Sequence, residues 1–284
     1  VDCTGYGDLC AHAGAPYDEP NDHQVANSIG VGGVDVERYR DWLGAHGSLG
    51  EQALGLRGGA PERLVRLSGS LDRLPPAFAR EARRIGMATV TTTVHDNYFM
   101  FIKLNYRMPV SPTNRDEVVK AEIELRKRQR RAVELFRTHV PGCEKAFVAR
   151  SSPSLCIRRG RRIVCDYDIS LRDIVDARRF DDQIMMYGFH DCAPRIQIRN
   201  GGAYGVPYRA LLPAGIDNLY ATGMMLTSDW EAHMSTRNTV CCMGQGQAAG
   251  VAAALCAQHN MRSRDLPFAL LRDALEQQNV ILDA

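Results

Sequence analysis

Four side chains in two short stretches have the types and spacing for proton and anion chemistry. His190 stands directly before Asp191, where a carboxylate can orient an imidazole acid/base; two polar residues at a loop bend are the plainer reading. His233 and Arg237 are four apart, so on a helical turn they share a face on which Arg237 can clamp a carboxylate or other anion. A structural ion pair would use the same spacing. A third stretch, 240–254, is built almost wholly from small residues and holds Gly244, Gly246 and Gly250. Glycine costs a helix about 1 kcal/mol per interior position relative to alanine, so three within seven residues call for a close contact in return. The start of such a helix leaves N–H groups unpaired and partly positive, which suits the electron-rich edge of a cofactor. A small-residue helix packed tightly between layers is the alternative. Cys241 and Cys242 at that start are candidates for lowered pKa values. Arg161, Arg162 and Tyr208 read as structural.

Elements must bring these groups together. Residues 219–221 form a short apolar run that stops at Gly223 and, after a polar crossing, resumes near Val240, the pattern of strand, loop and helix. At the other end, VDCTGYGDLCAHAGAP reads as a strand end, a turn at Gly5 and Gly7, and a short helix that Asp8 caps and Gly14 ends. A strand end needs partner strands, which places them upstream of Val1; the missing initial methionine likewise suggests a segment of something longer or a processed product. Residues 17–70, punctuated by glycines that separate short segments such as 36–43 and 60–67, read as loop-rich covering structure with short helices. Residues 88–107 predict a β-hairpin turning at Asp96 and Asn97, with Tyr98, Met100, Ile102, Leu104 and Tyr106 on one face and Phe99, Phe101, Lys103, Asn105 and Arg107 on the other. Asn114 caps a long helix through His139, whose basic run 126–131 is offset by acids on the same helix and reads as a solvated face. A turn and strand over 155–170, a short amphipathic segment over 173–187 and a terminal helix over 264–278 complete the chain.

Composition narrows the classes. At 284 residues, 45% hydrophobic and 24% charged, the chain has the make-up of a soluble globular protein of one large or two ordinary domains. A net charge of +2 gives no argument for nucleic acid, and the apolar runs fall short of a membrane span. Nine scattered cysteines without a CxxC pair speak against a zinc site or a disulfide framework and for a reducing, cytoplasmic setting.

Three blocks recur together in one family. The opening VDCTGYGDLCAHAGAP, the middle PGCEKAFVARSSPSLCIRRGRRIVCDYDIS and the late VPYRALLPAGIDNLYATGMMLTSDWEAHMSTRNTVCCMGQGQAAGVAAAL resemble, in order, the FAD-dependent oxidoreductases of the fumarate reductase-like class. The resemblance implies an α/β fold: a partial Rossmann-like FAD-binding domain with an inserted β-rich substrate domain, divided as 1–70, 71–200 and 201–284. It implies FAD as cofactor, contacted by Thr4, Gly5 and Asp8 at the dinucleotide and by Gly223, Gln245, Gly246, Gln247, Ala248 and Gly250 at the flavin, with amides near Gly246 and Gln247 beside the ring. The family's amino-terminal GxGxxG is absent here, so an upstream chain or subunit carrying it is the implied partner. The implied reaction is hydride transfer between a small organic substrate and flavin N5, with His190, Asp191, His233 and Arg237 as catalytic candidates and no metal. An electron-relay subunit and a non-catalytic scaffold are the alternatives. The chain departs from its relatives at Arg159 and Cys165, in the order of His190 and Asp191, and at Met224 and Met225.

Overall fold

The computed structural model describes residues 1–88, 90, 92–95, 98–191 and 196–283, with backbone alone at 98–101. It is a mixed α/β structure in two units, one formed by Val1–Asp22 with Arg158–Ala284 and the other by His23–Ile157. The first unit begins with α1 (Asp8–His12) and β1 (Tyr17–Asp18).

The second unit holds β2 (Val25–Gly32), α2 (Val36–Ala45), β3 (Leu49–Arg57), β4 (Ala60–Gly69), α3 (Pro76–Arg84), β5 (Thr92–His95), β6 (Tyr98–Tyr106), α4 (Arg115–His139) and β7 (Phe147–Ser151). Its strands make one antiparallel sheet in the order β3-β4-β5-β6-β2-β7. Ile29, Leu67 and Leu104 from the sheet share a buried cluster with Phe78 of α3 and Leu125 and Phe136 of α4. The Phe78 and Phe136 rings meet edge to face at 5.9 Å.

Where loops with short helices were expected over 17–70, four strands, β1 to β4, and the helix α2 stand. Segment 36–43 lies in α2 and segment 60–67 in β4. Gly58 and Gly59, both at positive φ, make the two-residue turn that joins β3 to β4. The expected hairpin at 88–107 exists as β5 paired with β6; its Asp96–Asn97 turn and the side chains at 98–101 lie outside the described residues. Ile102 and Leu104 are buried and Lys103 is exposed. Asn114 caps α4 by accepting from the Glu117 N–H, and the basic run pairs within the helix, Arg126 with Glu122 and Arg128 with Glu124.

The first unit resumes with β8 (Arg162–Ile163), α5 (Leu171–Val175), β9 (Gln183–Tyr187), β10 (Tyr204–Pro207), α6 (Trp230–Thr236), α7 (Thr239–His259) and α8 (Phe268–Gln277). β8 pairs with β1, and β9 with β10. The strand expected after a turn within 155–170 shrinks to β8 and isolated bridges from Cys165 to Pro213 and from Ile169 to Ser228. Ala248 and Ala252 of α7 are buried in a cluster with Tyr204, Val206, Leu271 and Leu275. The expected divisions at 70/71 and 200/201 fall inside units, because β2 pairs with β6 and β7 and β9 pairs with β10 across them.

Among the described residues, α7 is the one helix long and apolar enough by length and composition to cross a membrane, where no such span was expected. Its alanines, glycines and cysteines make it apolar without a run of large side chains.

Candidate functional site

Two glycine turns follow the two residues of an isolated parallel bridge in the first unit. Asp2 lies parallel to Ala221, its N–H donating to Tyr220 O at 2.7 Å and its carbonyl accepting from the Thr222 N–H at 3.1 Å. The chain then turns at Thr4 and Gly5 after the one residue and at Gly223 after the other. A Cβ on Gly5 would lie 3.1 Å from the Met224 methyl, so the turns are in contact.

The fully buried Asp2 carboxylate shapes the first turn. It accepts from the Thr4 N–H at 2.9 Å, the Thr4 hydroxyl at 2.7 Å and the Cys10 N–H at 2.8 Å. Burial alone raises its pKa, but these bonds to the ionised form outweigh burial and hold it below the usual carboxylate value. Thr4 Oγ1 in turn accepts from the Asp8 N–H at 2.9 Å. Asp8 does not cap α1: Gly7, at φ 69°, occupies that position, and the Asp8 carboxylate pairs with Arg161 at 2.6 Å.

The corner between α6 and α7 is dense in buried polar groups: Ser228, His233, Ser235, Thr236 and Gln245 are all fully buried. Asp229 caps α6 and also accepts from the Leu171 N–H. His233 Nε2 lies 3.0 Å from Arg158 O, and His190 Nε2 lies 2.9 Å from Glu231 O. Arg237, one helical turn after His233, pairs with Asp191 at 2.7 Å. His190 and Asp191 thus use different partners, a backbone carbonyl and a guanidinium. Arg159, buried at 4% exposure, donates to Asp22 at 2.9 Å and to Ser228 O.

Asn238 stands at the N-cap of α7 without capping it. Its amide donates back to Met234 O and Ser235 O, both at 3.0 Å, leaving the Thr239, Val240 and Cys241 N–H groups with no side-chain acceptor from the cap. The amides of Gly246 and Gln247, expected at the ring, lie in the third turn of α7, inside the helical ladder; the free donors belong to the first turn. Gln245 Oε1 accepts from the Gly223 N–H at 2.8 Å, while its Nε2 donates to Thr236 O at 3.0 Å. Gln247 bonds Gln278 at 3.0 Å. Gly246, Gly250 and Gly223 face open space, whereas a Cβ on Gly244 would strike Met185 Sδ at 2.5 Å.

The structure therefore brings Thr4, Gly5, Asp8, Gly223 and Gln245 into one constellation, and His190, Asp191, His233 and Arg237 around α6. Asp2 and the reversed Asn238 amide were not singled out from the sequence, and Arg159 only as a departure from the family pattern; each acts through residues distant in the chain or through a helix boundary. The lowered thiol pKa values expected at α7 are overturned: burial pushes Cys241 up to about 12 and raises Cys242 as well. The eight described cysteines are free, and no group of three or more metal-ligating side chains forms among the described residues.

Burial lowers the His190 pKa below its ordinary value of 6.5, so the folded state holds this imidazole neutral while the unfolded chain protonates it. His190 should therefore make stability fall as pH drops below about 6.5 and level off below the folded pKa. Urea midpoints between pH 5 and 7.5 should show this slope weakened in the His190→Gln protein; an unchanged slope would refute the assignment.

Residues 1–275 match the family model described as FAD dependent oxidoreductase. No curated protein and no solved structure matches the chain.

Proposed function

The chain belongs to the FAD-dependent oxidoreductase family, whose members bind FAD, and from that premise we propose that this oxidoreductase holds the flavin end of FAD between its two glycine turns and the start of α7. The observation that carries the reading is the α7 start, whose first N–H groups are left open by an Asn238 amide turned toward α6. Those donors and the helix dipole suit an electron-rich ring edge and favour its reduced state. Gly5 and Gly223 allow backbone to approach a flat ring closely, and Asp2 keeps the Thr4 turn in shape.

A Rossmann-like core fits the parallel pairing of Asp2 with Ala221, with the adenosine and pyrophosphate contacts supplied by a polypeptide bearing GxGxxG. FAD, when bound, supplies hydride acceptance and donation at N5. The substrate in this reading is a small organic molecule. Among the four catalytic candidates, Asp191 has the most exposed side chain of the Arg237 pair, at 47% against 13%. A substrate carboxylate would compete with Asp191 for Arg237, freeing Asp191 to take a proton. His190 and His233 hold α6 through backbone carbonyls. Buried free thiols suit a reducing compartment such as the cytoplasm.

The test is reconstitution. The chain, together with the polypeptide carrying the GxGxxG turn, should retain FAD through gel filtration and show a bound-flavin visible spectrum that dithionite bleaches. A colourless complex would overturn the reading.

A further inference from the structure

Gln245 is a fully buried amide in a helix rich in small apolar residues, whose other glutamines, Gln247 and Gln258, are exposed. Stability gives little reason for it, since an apolar side chain of similar shape would fill the place without polar groups to satisfy. Its contacts give a different reason. Oε1 takes the Gly223 N–H, two residues after Ala221, the bridge partner of Asp2. Nε2 gives its hydrogens to Thr236 O, the last carbonyl of α6, and to Cys241 Sγ at 3.3 Å, in the first turn of α7. One side chain thus ties together the second glycine turn, the end of α6 and the start of α7. Thr236 is itself held at 3.4 Å from Ser228 Oγ, so the tie rests on a fixed anchor.

From this we infer that Gln245 is a positioning residue: without touching the flavin, it sets the distance between the Gly223 turn and the open N–H groups of α7, and through them the affinity for FAD and the reduction potential. The inference rests on the flavin placement proposed above. Gln245 already uses its acceptor and its donors inside the protein, which distinguishes this role from direct cofactor contact. A helix start held close to the ring favours the reduced, more negative state; one that drifts does so less.

Two variants test it in the full chain with its GxGxxG-bearing polypeptide. Gln245→Met removes all three bonds with little change in size and should weaken FAD binding by about tenfold or more, moving the midpoint potential to more negative values. Gln245→Glu keeps the acceptor for Gly223 but, when ionised, has no hydrogen for Thr236 O. Ionised, it should lower affinity and potential through the lost Thr236 bond and the buried negative charge, and it should recover both toward the parent as acidification restores its donor. Melting of the flavin-free proteins by circular dichroism is measured alongside. Folded variants with parental affinity and potential would overturn the inference while leaving the flavin placement standing. Failure of the parent itself to take up FAD would overturn both, and failure of both variants to fold would assign Gln245 to stability alone.

Discussion

Substitution of Gly246 by tryptophan should leave the chain folded and strip it of flavin. The three glycines of α7 have different surroundings. Gly244 is explained by packing, because a Cβ there would run into Met185 of β9. Gly246 and Gly250 have no such neighbour: an added Cβ meets nothing within 4 Å at either, and any side chain at 246 lowers the conformational cost that glycine imposes on a helix, by up to about 1 kcal/mol for alanine. The fold itself therefore gives no reason for glycine at 246, whereas the flavin placement proposed above would need a flat surface there. An indole in that space should cost FAD more than about 100-fold in affinity, or roughly 3 kcal/mol, while Gly246→Ala should bind nearly as the parent does. Flavin content per folded protein, measured after desalting, decides the matter. A Gly246→Trp protein that keeps stoichiometric flavin would remove the ring from this surface.

What could be read from the sequence was local. α4 was legible because Asn114 caps it and its apolar residues recur on one stripe, so all the information lies within 25 residues. The β5–β6 pair was legible from alternation around a short turn. β2 was not, because it is buried almost throughout and has no polar alternation to mark it. β3 and β4 contain glycine, glutamate and arginine at positions where β-branched residues would have signalled strand. The site was legible in part for the same reason. Small residues announced the helix, and the expected start near Val240 was within one residue of Thr239. The resemblance places ring donors at Gly246 and Gln247, which lie two turns beyond the helix boundary where N–H groups lack helical acceptors. Gln245 bonds Gly223 and Thr236, partners that no local pattern announces.

Asp2 shows the same distance effect and should give the largest loss of stability. Its backbone is fixed by Tyr220 and Thr222, more than 200 residues away, and its carboxylate gathers three donors across the Thr4 turn and α1. Asp2→Ala leaves those donors without their acceptor. The Cys10 N–H is buried, whereas water can reach part of the Thr4 turn, so the expected loss is about 3 kcal/mol rather than the sum of three full penalties. Asp2→Asn keeps one acceptor oxygen but turns an NH2 group toward another donor, and should be intermediate. The pH dependence separates charge from shape. The folded pKa lies below the ordinary 3.8, so the stability due to ionised Asp2 is complete above the unfolded value and is lost as pH falls through the folded one. Urea midpoints from about pH 6 down to about pH 2.5 should decline more steeply in the parent than in Asp2→Asn, and the two curves should approach each other at the acid end. Parallel curves would mean that the carboxylate is not held ionised by the turn, and the account of how Thr4 and Gly5 are positioned would fall with it.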